Sequence, residues 1–208
     1  MLFICAVRKI IIETQYAPCT AVFRAMKQAD EIVIDGFENY EKGSFRNRTV
    51  ILGANGLITL SIPLQGGRGQ RSISSQVLID NTSDWQKNHW ASITSAYNSS
   101  PFFEYYEEKL QAHFQKKYKH LFDFNTELLL KIFELLNREK KICFSKTYEK
   151  TPEDYVDYRN KFLPKNQFEN EWIYKPYIQV FADRFSFRGN LSVFDILFNC
   201  GPEAGSYI

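Results

Sequence analysis

The stretch from Ile10 to Gly36 limits the fold more than any other. Ile10, Ile11 and Ile12 form a continuous β-branched run, as in a buried strand. "TQYAPC" then turns the chain. In "TAVFRAMKQAD", Val22, Phe23 and Met26 recur at helical spacing, and "EIVIDGF" reads as a second buried strand that stops at Asp35 and Gly36. Strand, short helix, strand is a βαβ unit, which demands parallel pairing through a right-handed crossover. The loop after its first strand then lies where open α/β sheets take their ligands.

The pattern changes after residue 48. "RTVIL" and "LITLSIPL" flank "GANG", and Asn-Gly between apolar runs signals an antiparallel hairpin. Pro63 ends the second strand or places it at an edge. "LQGGRGQR" reads as a flexible basic loop, and "SSQVLID" as a further short strand. Helices are expected next. Ser83 or Asp84 suits the cap of one carrying Trp85, His89, Ile93 and Tyr97 on a single stripe. Pro101 suits the first turn of a second helix. A third places Leu128, Leu129, Ile132 and Leu135 on one side, and "KICFS" offers another strand. Residues 146–176 are polar and irregular, and a loop that long is usually functional or mobile. "LSVFDILFN" is a short last helix, with Asn190 suited to its cap and Gly201-Pro202 to its stop. The expected fold is therefore α/β: one domain with a mixed sheet started by a βαβ unit, plus an antiparallel hairpin, followed by a mainly helical segment. Residues 10–80 form the sheet-rich part, 83–140 the helical part, and 141–208 an irregular segment and a C-terminal helix.

Composition removes several function classes. A chain of 208 residues suits one domain with a substantial core. A net charge of +2 is too balanced for a nucleic-acid partner. No apolar run reaches the roughly 20 residues of a membrane span. The opening residues are interrupted by Arg8 and Lys9 and read as a strand with a lead-in, not a signal peptide. Cys5, Cys19, Cys143 and Cys200 are scattered, so neither a metal site nor a disulfide framework is expected, and buried thiols in a reducing cytoplasm are. No cofactor motif is present: neither G-x-G-x-x-G nor G-K-[ST] occurs.

Two sets of residues carry candidate chemistry. In "YEKGSFRNR", Tyr40, Lys42, Arg46, Asn47 and Arg48 combine basic groups, a ring and an amide just before a strand. A guanidinium can hold a carboxylate or phosphate through two parallel hydrogen bonds, and an ammonium adds a point charge. The same residues also suit a solvated turn. Gln15 and Tyr16 sit in the first βα loop, as pocket wall or as shaped turn. His89 is a candidate for proton transfer, with Tyr97 beside it on the stripe, although a lone helix histidine is more often structural. Asp80, Asp84, Glu38 and Glu104 are acids that could orient it. His113 and His120 read as surface residues.

Several stretches together resemble the WbqC-like protein family of bacteria. They are "QYAPC" with a following Phe and Ala-Asp, "YEKGSFRNR", "LSIPL", "IDNTSDWQKNHWASITSAYNSSPFFEYYE", "LFDFNTELL", and the ending "YIQVF…NLSVFDILFNCGPE". The likeness runs from about residue 10 to about residue 203, leaving residues 1–9 as an unmatched N-terminal extension. It implies one WbqC-like domain over 10–208. It also implies association with gene clusters for surface polysaccharides of the O-antigen type. The implied role is a cytoplasmic, transferase-like enzyme, or a non-catalytic binding or adaptor protein of the same pathway. The implied partner is a small anionic substrate: a nucleotide-sugar, an acyl donor or an aminoacyl donor. Lys42, Asn47 and Arg48 match the family's pattern, which favours a ligand role for the basic stretch over a solvated turn.

Overall fold

The computed structural model describes residues 8–66, 72–166 and 175–208. Most of the expected N-terminal extension, the centre of the "LQGGRGQR" loop and part of the 146–176 segment lie outside the described residues. The βαβ unit is present as β1 (Lys9–Glu13), α1 (Thr20–Lys27) and β2 (Glu31–Asp35), with β1 and β2 parallel and in register from Lys9↔Glu31 to Glu13↔Asp35. Two more strands extend it in parallel. These are β5 (Lys141–Phe144) beside β2 and the two-residue β6 (Val156–Asp157) beside β1, giving the order β5-β2-β1-β6.

The hairpin forms from β3 (Arg48–Gly53) and β4 (Gly56–Ser61). Gly56, at φ 115°, takes the backbone conformation that side chains resist. Among the described residues this hairpin is a second, two-stranded sheet and does not join the parallel strands. The α/β class holds, with the antiparallel part standing apart.

The two faces of the parallel sheet differ. Ile10, Ile12, Ile32 and Ile34 are fully buried in the main core with residues of α1, α2 (Trp85–Tyr97), α3 (Phe103–Gln115), α4 (Leu121–Leu135) and α5 (Val193–Cys200). Ile11 and Val33 point to the opposite face by the period-2 rule and belong to neither apolar cluster. The stripe Trp85, His89, Ile93 and Tyr97 is buried along its whole length, as are Leu128, Leu129, Ile132 and Leu135 of α4.

Several local expectations are corrected. Ser74–Gln76 is a tight helical turn, and Leu78 and Ile79 make only isolated bridges, so "SSQVLID" is no strand. Asp84 precedes α2 without a side-chain capping bond. α3 begins at Phe103, after a turn through Pro101 and Phe102. Asn190 does not cap the last helix. Ser192 does, accepting from the Phe194 N–H at 3.4 Å. Asn190 instead sits at φ 57° and accepts the Ala21 N–H at 2.9 Å, so it caps α1, whose own N-cap residue Cys19 makes no such bond. His113 is buried, not on the surface. Its ring packs 4.5 Å from Phe124, its Nδ1 lies 2.9 Å from the Tyr118 hydroxyl, and burial pushes its pKa down to about 4.

Candidate functional site

The site is built on the second face of the parallel sheet, at the carboxyl ends of its strands. Residues two apart on a strand share a face, so the register sets out two rows. Ile11, Val33 and Cys143 lie side by side across β1, β2 and β5. One step further along, Glu13 pairs with Asp35, and Ser145 follows β5 beside them. The apolar row thus ends in a polar row where open α/β sheets bind ligands.

The polar row is buried and densely bonded. Glu13 accepts from Gln15 Nε2 at 2.7 Å and from the Asn160 backbone N–H at 3.0 Å. Burial raises its pKa, opposed by the charge of Arg46 and reinforced by that of Glu38. Arg46, 1% exposed, grips Glu38 with two hydrogen bonds of 2.7 and 2.6 Å and gives a third to Asn160 Oδ1 at 2.9 Å. Ser74 donates to the same Glu38 carboxylate at 2.8 Å. On the other side of the row Arg159 pairs with Asp35 at 2.7 Å and with Asp157 at 2.7 Å, and Ser145 donates to Asp35 at 2.8 Å. Charges this deep are tolerated only when paired and hydrogen-bonded.

Pairing is not complete. Among the described residues, Thr14 Oγ1, Gln15 Oε1, Arg46 Nη1 and Arg48 Nε are buried polar atoms without a partner. Thr14 and Gln15 follow β1, Arg46 precedes β3 and Arg48 opens it, and the Tyr16 N–H bond to the Phe45 carbonyl, at 2.9 Å, ties the two stretches together. Buried polar groups are rarely left so, and a cluster of exceptions calls for a cause.

The residues singled out from the sequence and those the structure adds separate into three groups. Gln15 and Arg46 belong to this network, and Arg48 lies near enough to Tyr40 for its charge to act on that phenol. Tyr40 stands at its edge, half-buried. Burial raises the Tyr40 pKa against the charges of Arg46 and Arg48, and its hydroxyl donates to Asn47 Oδ1 at 3.0 Å. Asn47 in turn donates to the Ile62 carbonyl at 2.9 Å and steadies the start of the hairpin. Lys42 is exposed. Tyr16, His89 and Tyr97 form the second group, inside the core. The Tyr16 hydroxyl lies 3.1 Å from His89 Nδ1, and their rings stack at 5.7 Å. The imidazole also bonds to the Ser61 backbone, and burial pushes its pKa down to about 4. His89 is therefore neutral at pH 7, with Nδ1 placed to accept from Tyr16. None of Asp80, Asp84, Glu38 or Glu104 orients it; Glu38 is taken by Arg46. Tyr97 faces the buried Asp195 carboxylate without meeting full hydrogen-bond geometry. Asp195 accepts from Tyr177 at 2.6 Å and Gln179 at 2.7 Å, and burial raises its pKa to about 6.

The third group is what the sequence reading missed: Glu13, Asp35 as a site residue, Arg159 and Asn160. Glu13 had a signal, an acid closing an otherwise β-branched strand at its carboxyl end. Arg159 and Asn160 had none, because they come from the irregular 146–176 segment and meet β1 and β2 only through the fold. Among the described residues no group of His, Cys, Asp or Glu is arranged to hold a metal. No helix among them is long and apolar enough to cross a membrane.

Fold and site together define a class: an α/β protein with a helix-capped parallel sheet and a buried, partly unsatisfied charge network at its carboxyl edge. Comparison with known proteins narrows this. The WbqC-like protein family matches residues 14–163, and the chain belongs to that family. It is also similar to the uncharacterized protein Rv1507c of Mycobacterium tuberculosis, at 26% identity over 228 aligned residues, covering 95% of this chain and 96% of that protein. No solved structure matches.

Proposed function

We propose that this protein is a transferase-like enzyme of the cytoplasm that binds an activated donor at the carboxyl edge of its parallel sheet. The donor is a sugar, acyl or aminoacyl compound carrying phosphate or carboxylate, and the pathway is bacterial surface-polysaccharide synthesis of the O-antigen type. The observation that carries the binding site is the set of unpartnered buried atoms on Thr14, Gln15, Arg46 and Arg48, of which Gln15 bonds to the Glu13 carboxyl and Arg46 acts on it by charge. The pathway rests on family resemblance alone.

In this reading Arg48, with Lys42 at the rim, meets the anionic group, and Arg46, fixed by Glu38, supplies a positive charge that needs no reorganisation. Glu13 suits proton transfer better than His89, whose Nδ1 faces Tyr16 inside the core. The acceptor's hydroxyl or amine gives its proton to Glu13, and its lone pair forms the bond to the donor carbon. The bond to the leaving group breaks with its electron pair on the leaving oxygen or sulfur, which takes the proton back.

A thermal-shift panel of nucleotide-sugars, acyl-CoAs, aminoacyl donors and plain nucleotides tests this, run on the native protein, Arg48→Ala, Glu13→Gln and His89→Ala. A ligand that binds only the folded state raises Tm by mass action. The expected result is a shift with one donor class that Arg48→Ala loses and Glu13→Gln keeps, with turnover lost in Glu13→Gln. No shift with any donor, in a folded protein, sinks the reading. A non-catalytic binder is the second reading, favoured by the enclosure of both His89 and Tyr97. Arg48-dependent binding with no turnover of any bound donor would select it.

A further inference from the structure

A guanidinium has two edges that can each hold a planar oxyanion through two parallel N–H bonds, one formed by Nε and Nη2, the other by Nη1 and Nη2. On Arg46 the first edge is filled, because Nε and Nη2 hold the two oxygens of Glu38 at 2.7 and 2.6 Å. The second edge is half filled. Its Nη2 leg donates to Asn160 Oδ1 at 2.9 Å, and its Nη1 leg is a buried donor without a partner among the described residues. One amide oxygen therefore sits where two oxyanion oxygens fit, and leaving a buried donor of a charged group unmet is costly.

The residue on that edge is unlike the groups beneath it. Arg46 and Glu13 are each 1% exposed, whereas Asn160 faces solvent. It touches both of them, the Arg46 guanidinium through its side chain and the Glu13 carboxyl through its backbone N–H at 3.0 Å. Its φ of 58° is left-handed, a conformation that asparagine adopts more readily than most residues. The chain on either side is fixed. Arg159 is held by Asp35 and Asp157, and Phe162 is buried in the main core. The Asn160 side chain can therefore turn out to solvent while its neighbours and its own N–H bond to Glu13 stay in place. The charges of Arg46 and Arg48 both act on the Tyr40 phenol, which sets a second cation at the same corner. A neutral hydroxyl or a single carbonyl gives Arg46 no more than Asn160 already does. A carboxylate or phosphate gives it two bonds in place of one.

We infer that Asn160 is the gate of the site: its side-chain oxygen holds the place of a ligand oxyanion on the free edge of Arg46, and a carboxylate or phosphate group binds by displacing it and taking both legs. This rests on the proposed function and adds to Arg48 the second group that receives the anion.

Calorimetric titration of the full-length protein with pyrophosphate and with malonate, at constant ionic strength set by chloride, tests this. Asn160→Gly keeps the main-chain N–H for Glu13 and accepts φ 58° while removing Oδ1. It is expected to tighten binding of one or both oxyanions by roughly tenfold, the worth of the bond to a charged group that the ligand no longer has to break. The oxyanion that gains more names phosphate or carboxylate as the ligand's anionic group. Asn160→Asp keeps an acceptor for Arg46 but tethers a carboxylate on the edge, and is expected to weaken the same oxyanion by a similar factor. A residue that only shapes the turn gives the opposite pattern: the aspartate variant binds as the native protein does, and the glycine variant binds no more tightly. Either of those results, or no binding of pyrophosphate or malonate to any form, overturns the inference. The donor panel judges the proposed function separately. A donor shift in Tm that Arg48→Ala loses leaves that function standing without the gate, and no donor shift in either the native protein or Asn160→Gly removes both.

Discussion

Arg46 shows how much one side chain of this site depends on its neighbours. Its guanidinium is 1% exposed and is neutralised mainly by Glu38. Removing one partner of a buried pair leaves a bare charge, which costs about 3–5 kcal/mol, more than the pair itself contributes. Glu38→Ala should therefore destabilise the protein by roughly 3 kcal/mol in urea unfolding at pH 7. Glu38→Gln, which keeps an acceptor for Arg46 and Ser74, should lose clearly less. Equal losses would mean that packing, not charge pairing, dominates at this position. At the same scale, Asp195→Asn should stabilise the protein at pH 8. Burial raises the Asp195 pKa from 3.8 to about 6, so the folded state favours the protonated form. That contribution is complete below pH 3.8 and is lost as pH rises through 6. A shift of this size corresponds to about 3 kcal/mol. Chemical denaturation across pH should show a gain in the variant of at most that size at pH 8, fading towards pH 4.

At the scale of elements, the capping of α1 shows what sequence reading reaches and where it stops. The βαβ unit, the hairpin and the stripe on α2 were legible because each writes its period into adjacent residues. That Asn190 caps α1 was not, because the bond to the Ala21 N–H spans most of the chain. The same limit hid Arg159 and Asn160, which reach Asp35 and Glu13 from an irregular segment. It also concealed the direction of Arg46, since a basic residue in a turn is exposed on average and this one folds inward onto Glu38. Asn190→Ala removes the cap and forces a Cβ-bearing residue without a local hydrogen bond to hold φ 57°. A loss of about 1–3 kcal/mol is expected in thermal or urea unfolding, with Asn190→Gly losing less because glycine accepts that φ. If both variants lose equally, the capping bond alone accounts for the effect.

At the scale of the whole molecule, acid and stability are coupled through the core. His89 and His113 are both buried and neutral, with pKa values pushed from 6.5 to about 4. The unfolded chain takes up those protons first, so each histidine withdraws stability as pH falls from 6.5 to 4, by up to about 3 kcal/mol. Asp195, and Glu13 in the same sense, act in the opposite direction over the acid range. Replacing His113 with Gln should flatten the loss between pH 6.5 and 4, and an unchanged slope would remove His113 from the balance. The late residues of the chain matter in another way. The family match covers residues 14–163, yet Phe194, Ile196, Leu197 and Phe198 are fully buried against α1, α2 and α3, and α1 receives its cap from residue 190. During synthesis the first strand and helix emerge long before the residues that cover and cap them. The nascent chain must carry part of their apolar faces uncovered until translation has passed residue 200, so the ribosome's pace sets how long this protein is exposed to aggregation and to chaperones.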